Sequence, residues 1–111
     1  MSEFTLYSLW EDKLEKGFIR CDIPSRMHGG IRRYVLEGIT LGDFLTYVFH
    51  DSLKYAAHAA DEGNQRLLMK YAQFIMDWVP TDAQGSEEKF TKWCRNGGCK
   101  GLDEKHEKKK K

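Results

Sequence analysis

Proline is scarce in this chain: Pro24 and Pro80 are the only two in 111 residues, so most of the sequence can run as helix without a break. Strand signals are scarcer still. Only "FIRCDI", residues 18–23, has the composition of an extended segment, and no repeat of fixed period occurs, so the strands that a sheet needs are missing. Cysteine is limited to Cys21, Cys94 and Cys99, an odd number that argues against a disulfide framework. No apolar run approaches the roughly 20 residues that span a bilayer. The opening "MSEFTLYSLWEDKLEKG" is acidic where a secretory signal is basic. Membrane and export classes are set aside, and a soluble cytoplasmic protein is expected.

Catalytic signatures are lacking as well. There is no Gly-x-Ser-x-Gly elbow, no His-Glu-x-x-His helix and no Walker phosphate loop. His50 and Asp51 are adjacent, so on a helix they point about 100° apart and cannot pair. Cys94 and Cys99 lack the close pairing of a zinc site, and the next candidate, His106, lies in a lysine-rich end. No enzyme, no metal and no cofactor is expected.

Charge is nearly balanced at +1, but unevenly distributed. Residues 100–111 hold six lysines against three acids, which leaves residues 1–99 at −2 with 12 basic and 14 acidic side chains. That balance disfavours a strongly basic nucleic-acid-binding domain. The end "KHEKKKK" could add only a weak, salt-sensitive attraction to phosphates. The chain therefore divides into a single domain at 1–99 and a flexible lysine-rich tail at 100–111.

What the chain does contain is helical periodicity and aromatic bulk, with three Trp, five Tyr and six Phe. Ser8 and Glu11 form a capping pattern for a first helix that Gly17 ends. Ser25 is read as the N-cap of a second helix running to Glu37, with Met27, Ile31, Tyr34 and Val35 inward and Gly38 as its stop. Thr40 and Asp43 open a third, about twenty residues long, whose apolar stripe runs from Leu41 through Phe44, Leu45, Val48, Phe49 and Leu53 to Ala60. Asp61 caps the next, which Pro80 stops, and Ser86 caps the last, which "NGG" closes. The fold class is all-α, a compact bundle of four to five helices with a disordered basic C-terminal tail.

One stretch breaks this pattern. "IPSRMHGGIRRYVLEGI", residues 23–39, has two glycines in its first turns, and between Arg20 and Arg33 lie four arginines and one acid. Guanidinium forks suit carboxylate and phosphate. On a helix Arg26, Gly30 and Arg33 share one face, with His28, Gly29 and Arg32 on the next. Two accounts fit. Either the helix starts after Gly30 and the arginines pair with surface carboxylates, or the glycines let an anion approach the backbone between two rows of cations. A second candidate is "GSEEK", where Ser86 and Lys89 stand at a helix start that can hold phosphate or simply be capped by Glu87 and Glu88.

Residues Ile23 and Pro24, Gly38 to Leu45, Ala60 to Asn64, and Gly85 to Lys89 with Trp93 resemble a family of small proteins of unknown function common in bacteriophages and prophages. The resemblance covers about residues 23–93. It departs at Glu87, where the family has Pro, and in the lysine tail. It implies a phage-type protein acting in the host cytoplasm, but no reaction and no catalytic residue. The reading that combines both lines is a non-enzymatic accessory protein that interferes with a host antiviral process. It would bind an anionic, nucleotide-like ligand or an acidic host protein surface through Arg26, His28, Arg32, Arg33, Ser86 and Lys89. The alternative is a nucleic-acid-associated regulator that uses the basic tail. A homodimer or higher oligomer fits a domain this small.

Overall fold

A computed structural model describes residues 5–110, without the side chains of Leu53 and of residues 107–110. Among the described residues there are eight α-helices, one 3₁₀ turn and no strand: α1 (Leu6–Arg20), α2 (Ser25–Glu37), α3 (Asp43–Phe49), α4 (Leu53–Ala59), α5 (Glu62–Arg66), α6 (Leu68–Trp78), the 3₁₀ turn Thr81–Ala83, α7 (Glu87–Asn96) and α8 (Gly98–Lys110). The all-α class holds, with more and shorter helices than the four to five expected. None is long and apolar enough to cross a membrane.

The extra breaks have local causes. Between α3 and α4 the chain turns at Asp51, which takes φ +62. Asp51 N–H donates to Val48 O at 3.1 Å and Ser52 N–H to Tyr47 O at 2.9 Å, which is a Schellman closure. Aspartate tolerates the left-handed region better than most side chains, so an apolar stripe that reads as one long helix is cut in two. The same device ends α1. Asp22 sits at φ +55, with Ile23 N–H donating to Phe18 O at 2.9 Å. Most of "FIRCDI" is therefore helix and turn, not strand.

Gly17 is not a stop but lies inside α1. A Cβ there would stand 2.5 Å from Trp78 Cγ, so the missing side chain lets α1 and α6 pack closely. The N-cap of α1 is Thr5, three residues before the expected Ser8. Thr5 Oγ1 accepts from Ser8 N–H at 3.0 Å, and Ser8 Oγ accepts in return from Thr5 N–H at 3.3 Å.

Residues 98–110 form α8, a helix that crosses the expected boundary at 99/100 and replaces the disordered tail; Lys111 lies outside the described residues. Cys99 is fully buried, and Leu102 packs against the core. Asp103 accepts from the backbone N–H of Leu6 at 2.8 Å and of Tyr7 at 3.0 Å, supplying a carboxylate to the unpaired donors of α1. Thus α8 lies against both α1 and α2.

Where α2 ends, it crosses the turn between α7 and α8. Gly38 (φ +73) and Gly98 (φ +65) meet backbone to backbone. A Cβ on Gly38 would come within 2.8 Å of Gly98 N, and one on Gly98 within 2.6 Å of Gly38 N. Trp93 Nε1 donates at 3.1 Å to both Tyr34 O and Val35 O, covering carbonyls at the end of α2. Tyr34, fully buried, donates its hydroxyl to Ala83 O at 2.8 Å and stacks on Phe90 with centroids 4.7 Å apart.

Gly29 and Gly30 lie within α2, which begins at Ser25, so the account in which the helix starts after Gly30 is not what forms. A Cβ on Gly30 would touch only Leu41 Cδ2, at 3.8 Å; one on Gly29 would have the Arg33 guanidinium as its nearest neighbour, at 3.1 Å. Gly30→Ala should raise stability by about 0.5–1 kcal/mol, as expected for a helix interior. Gly38→Ala should lower it by about 3 kcal/mol or more, through a strained φ and a backbone clash. Urea unfolding of the two variants checks both signs.

Candidate functional site

The arginine stretch is where a binding surface was expected, and its side chains are mostly occupied. Arg32 forms a fork on Glu15, with Nε to Oε2 at 2.7 Å and Nη2 to Oε1 at 2.8 Å, and its guanidinium lies 5.6 Å from the Phe18 ring centroid. His28 donates from Nε2 to Ile23 O at 2.6 Å, and its ring stacks on Phe18 at 4.0 Å. Arg26 reaches Asp61 Oδ2 at 3.5 Å and Asn64 Oδ1 at 3.3 Å. Arg33, exposed and lying over Gly29, has no carboxylate within 4 Å among the described residues, and neither has the exposed Arg20. Carboxylate pairing thus accounts for Arg26 and Arg32, although the helix begins at Ser25 and not after Gly30.

The pairing of Arg26 belongs to a wider junction. Asp61 Oδ1 caps α5 by accepting from Asn64 N–H at 2.8 Å. The buried Asn64 also accepts, through Oδ1, from the Tyr71 hydroxyl at 3.0 Å, and burial pushes Tyr71 up to about 12. Arg26 and Asn64 thereby join α2 to the α5–α6 corner.

Ser86 and Lys89, the other two candidates, stand together elsewhere. Ser86 Oγ accepts from Lys89 N–H at 3.1 Å and caps α7. Their side chains line a cleft of about 500 Å³ beside α7 and α8, with Asp82, Glu88, Lys92, Trp93, Asn96 and Leu102. Ser86, Lys89, Trp93 and Asn96 follow one another at helical spacing along α7, which places them on one face. Lys105 of α8 donates to Asn96 Oδ1 at the same face. None of Arg26, Arg32 and Arg33 lines this cleft. Lys92 and Asn96, not singled out by the sequence, join this lining together with Leu102 of α8.

A second concavity of about 210 Å³ lies over α4 and α6, lined largely by apolar groups including Val48, Ala56, Leu68, Met69, Ile75 and Met76. It contains no cationic side chain, so it does not suit an anion. Among the described residues, no group of three His, Cys, Asp or Glu is placed to hold a metal.

Comparison with family models, with curated proteins and with solved structures gave no match. Several of the motif positions have a role in the fold: Gly38 at the helix crossing, Asp61 and Asn64 at the corner, Gly85 through its N–H to Phe49 O at 2.9 Å, Ser86 as a cap and Trp93 as a donor to α2.

Beside the start of α7 stands His50, whose Nε2 is the one buried side-chain nitrogen or oxygen without a partner among the described residues. Its ring packs edge-on to Phe90 at 4.7 Å. Burial lowers its pKa below the usual 6.5, opposed in part by Glu87. The folded protein thus keeps the ring neutral where the unfolded chain protonates it. This contribution to stability is present above pH 6.5 and is lost as pH falls below that value toward the folded-state pKa. Thermal melts between pH 8 and pH 5, at a pH spacing of about half a unit, should show a drop that His50→Phe reduces.

Burial also raises the pKa of all three cysteines, with Cys99 pushed up to about 12. Native thiol labelling at pH 8 should therefore be slow, fastest at the half-buried Cys94 and slowest at Cys99, with all three reacting in denaturant. Prompt labelling of Cys99 in the native protein would contradict this packing.

Proposed function

We propose that the protein is a non-enzymatic accessory binding protein of phage type that holds a small anionic, nucleotide-like ligand in the cleft between α7 and α8. The observation that carries this reading is the cleft itself: two ammonium groups, Lys89 and Lys92, stand with two carboxylates, Asp82 and Glu88, around apolar surface from Trp93 and Leu102. A nucleotide offers a complement to each part. Its phosphates suit the lysines, its hydroxyl and amino donors suit the carboxylates, and its base suits the apolar wall. The volume falls within the roughly 300–1,000 Å³ usual for small-ligand sites. Sequestering such a signal in the host cytoplasm would interfere with antiviral signalling without any chemistry on the ligand.

The reading moves the binding residues away from α2. Arg26, His28 and Arg32 serve the fold, while Ser86 and Lys89 are retained and joined by Lys92. Calorimetric titration with nucleoside triphosphates and cyclic dinucleotides should show stoichiometric binding by the wild type. Lys89→Ala with Lys92→Ala should weaken it by about tenfold or more, a loss of roughly 1.4 kcal/mol, while Arg33→Ala leaves it unchanged. Absence of binding to every nucleotide, or a loss confined to Arg33→Ala, would overturn the proposal.

A further inference from the structure

The outer face of α6 is unusually apolar for a surface. Met69 and Met76 are 78% and 76% exposed, among the most exposed large hydrophobic side chains in the chain. The inner face of the helix is spent on the core through Tyr71, Phe74 and Ile75. Ala72, Gln73, Lys70 and Asp77 complete the outer face, all exposed.

Their order on the helix is self-complementary. Gln73 lies four residues from Met69 and from Asp77, and three from Lys70 and from Met76, so it marks the centre of the face. At 100° per residue, Met69, Ala72 and Met76 fall on one side of Gln73, and Lys70 and Asp77 fall on the other. Now let a second α6 approach antiparallel, related by a two-fold axis at Gln73 and perpendicular to the plane of the two helices. Each side of the face meets the same side of its copy in reversed order. On one side, Lys70 of each copy comes opposite Asp77 of the other, twice. On the opposite side, Met69 comes opposite Met76 of the other, twice, beside the small Ala72. Gln73 meets Gln73 at the axis, where the two amides can exchange hydrogen bonds.

We propose that this face of α6 is a two-fold interface between copies of the chain. A foreign partner would need no such palindrome, whereas an isologous contact requires one. The methionines also flank the apolar groove that α6 forms with α4, so a second copy shields its edge from water. Lys70 contacts Asp22 at 3.1 Å in the isolated chain, but that aspartate side chain is 84% exposed, so the lysine can serve both carboxylates. The interface is independent of the α7–α8 cleft. An eleven-residue helix buries little surface, so the association should be weak and concentration-dependent.

The test is sedimentation equilibrium with charge reversal. The wild type should form a dimer as its concentration rises into the micromolar range. Lys70→Asp places two acids opposite two acids, and Asp77→Lys places two lysines opposite two lysines, so each alone should raise the dimer Kd by about tenfold or more. Mixed one to one, the two variants should associate as a heterodimer, identified by native mass spectrometry. Met76→Glu, which leaves Asp22 and Lys70 untouched, should also abolish the dimer. A monomeric wild type, reversal variants that dimerise as well as the wild type, or a mixture that stays monomeric would each overturn the proposal.

Discussion

The crossing of α2 over the α7–α8 turn is the constraint on which most of the molecule depends. Three glycines with positive φ, Gly38, Gly97 and Gly98, let two backbones approach where side chains would collide. Trp93 then gives its one polar hydrogen to two carbonyls of α2. Because α7 is anchored there, α8 leaves the turn in a direction that buries Cys99 and brings Asp103 to the start of α1. The first and last helices are thereby joined.

Much of this fold was legible as pattern. The inner stripe of α2 at Ile31, Tyr34 and Val35, the stop at Gly38, and the caps at Asp61 and Ser86 all follow from periodicity and local hydrogen-bonding chemistry. What escaped were features that depend on distant partners or on a rare conformation. Asp51 and Asp22 each take a left-handed turn that sequence favours in glycine or asparagine. Gly17 looks like a terminator until Trp78, sixty-one residues on, occupies its missing side chain. For α8, the local composition is charged and poor in apolar residues; Cys99, Leu102 and Asp103 make it part of the fold only because α1 and α2 stand ready to receive them.

The candidate site shows the same division. Four arginines within fourteen residues look like an anion surface when only near neighbours are counted. The carboxylates that meet two of them, Glu15 of α1 for Arg32 and Asp61 before α5 for Arg26, lie 17 and 35 positions away. Ser86 and Lys89 were legible because a helix start is local, whereas Lys92 and Asn96 acquired meaning only with the wall that α8 provides. Gly29 and Gly30 line neither of the two clefts described, and a Cβ on Gly30 would be accommodated, so its presence has no structural explanation.

Positions that specify the helical fold are thus distinct from those proposed to bind. Gly38, Asp61, Asn64 and Trp93 fall in the first group; Lys89 and Lys92, which line the cleft beside α7, are proposed for the second. The most direct measurement is amide chemical-shift mapping of the isotopically labelled protein during titration with a nucleotide. The account predicts saturable shifts centred on Ser86, Lys89, Lys92, Asn96 and Leu102. Shifts centred on Arg26 to Arg33, or no shifts at all, would contradict it.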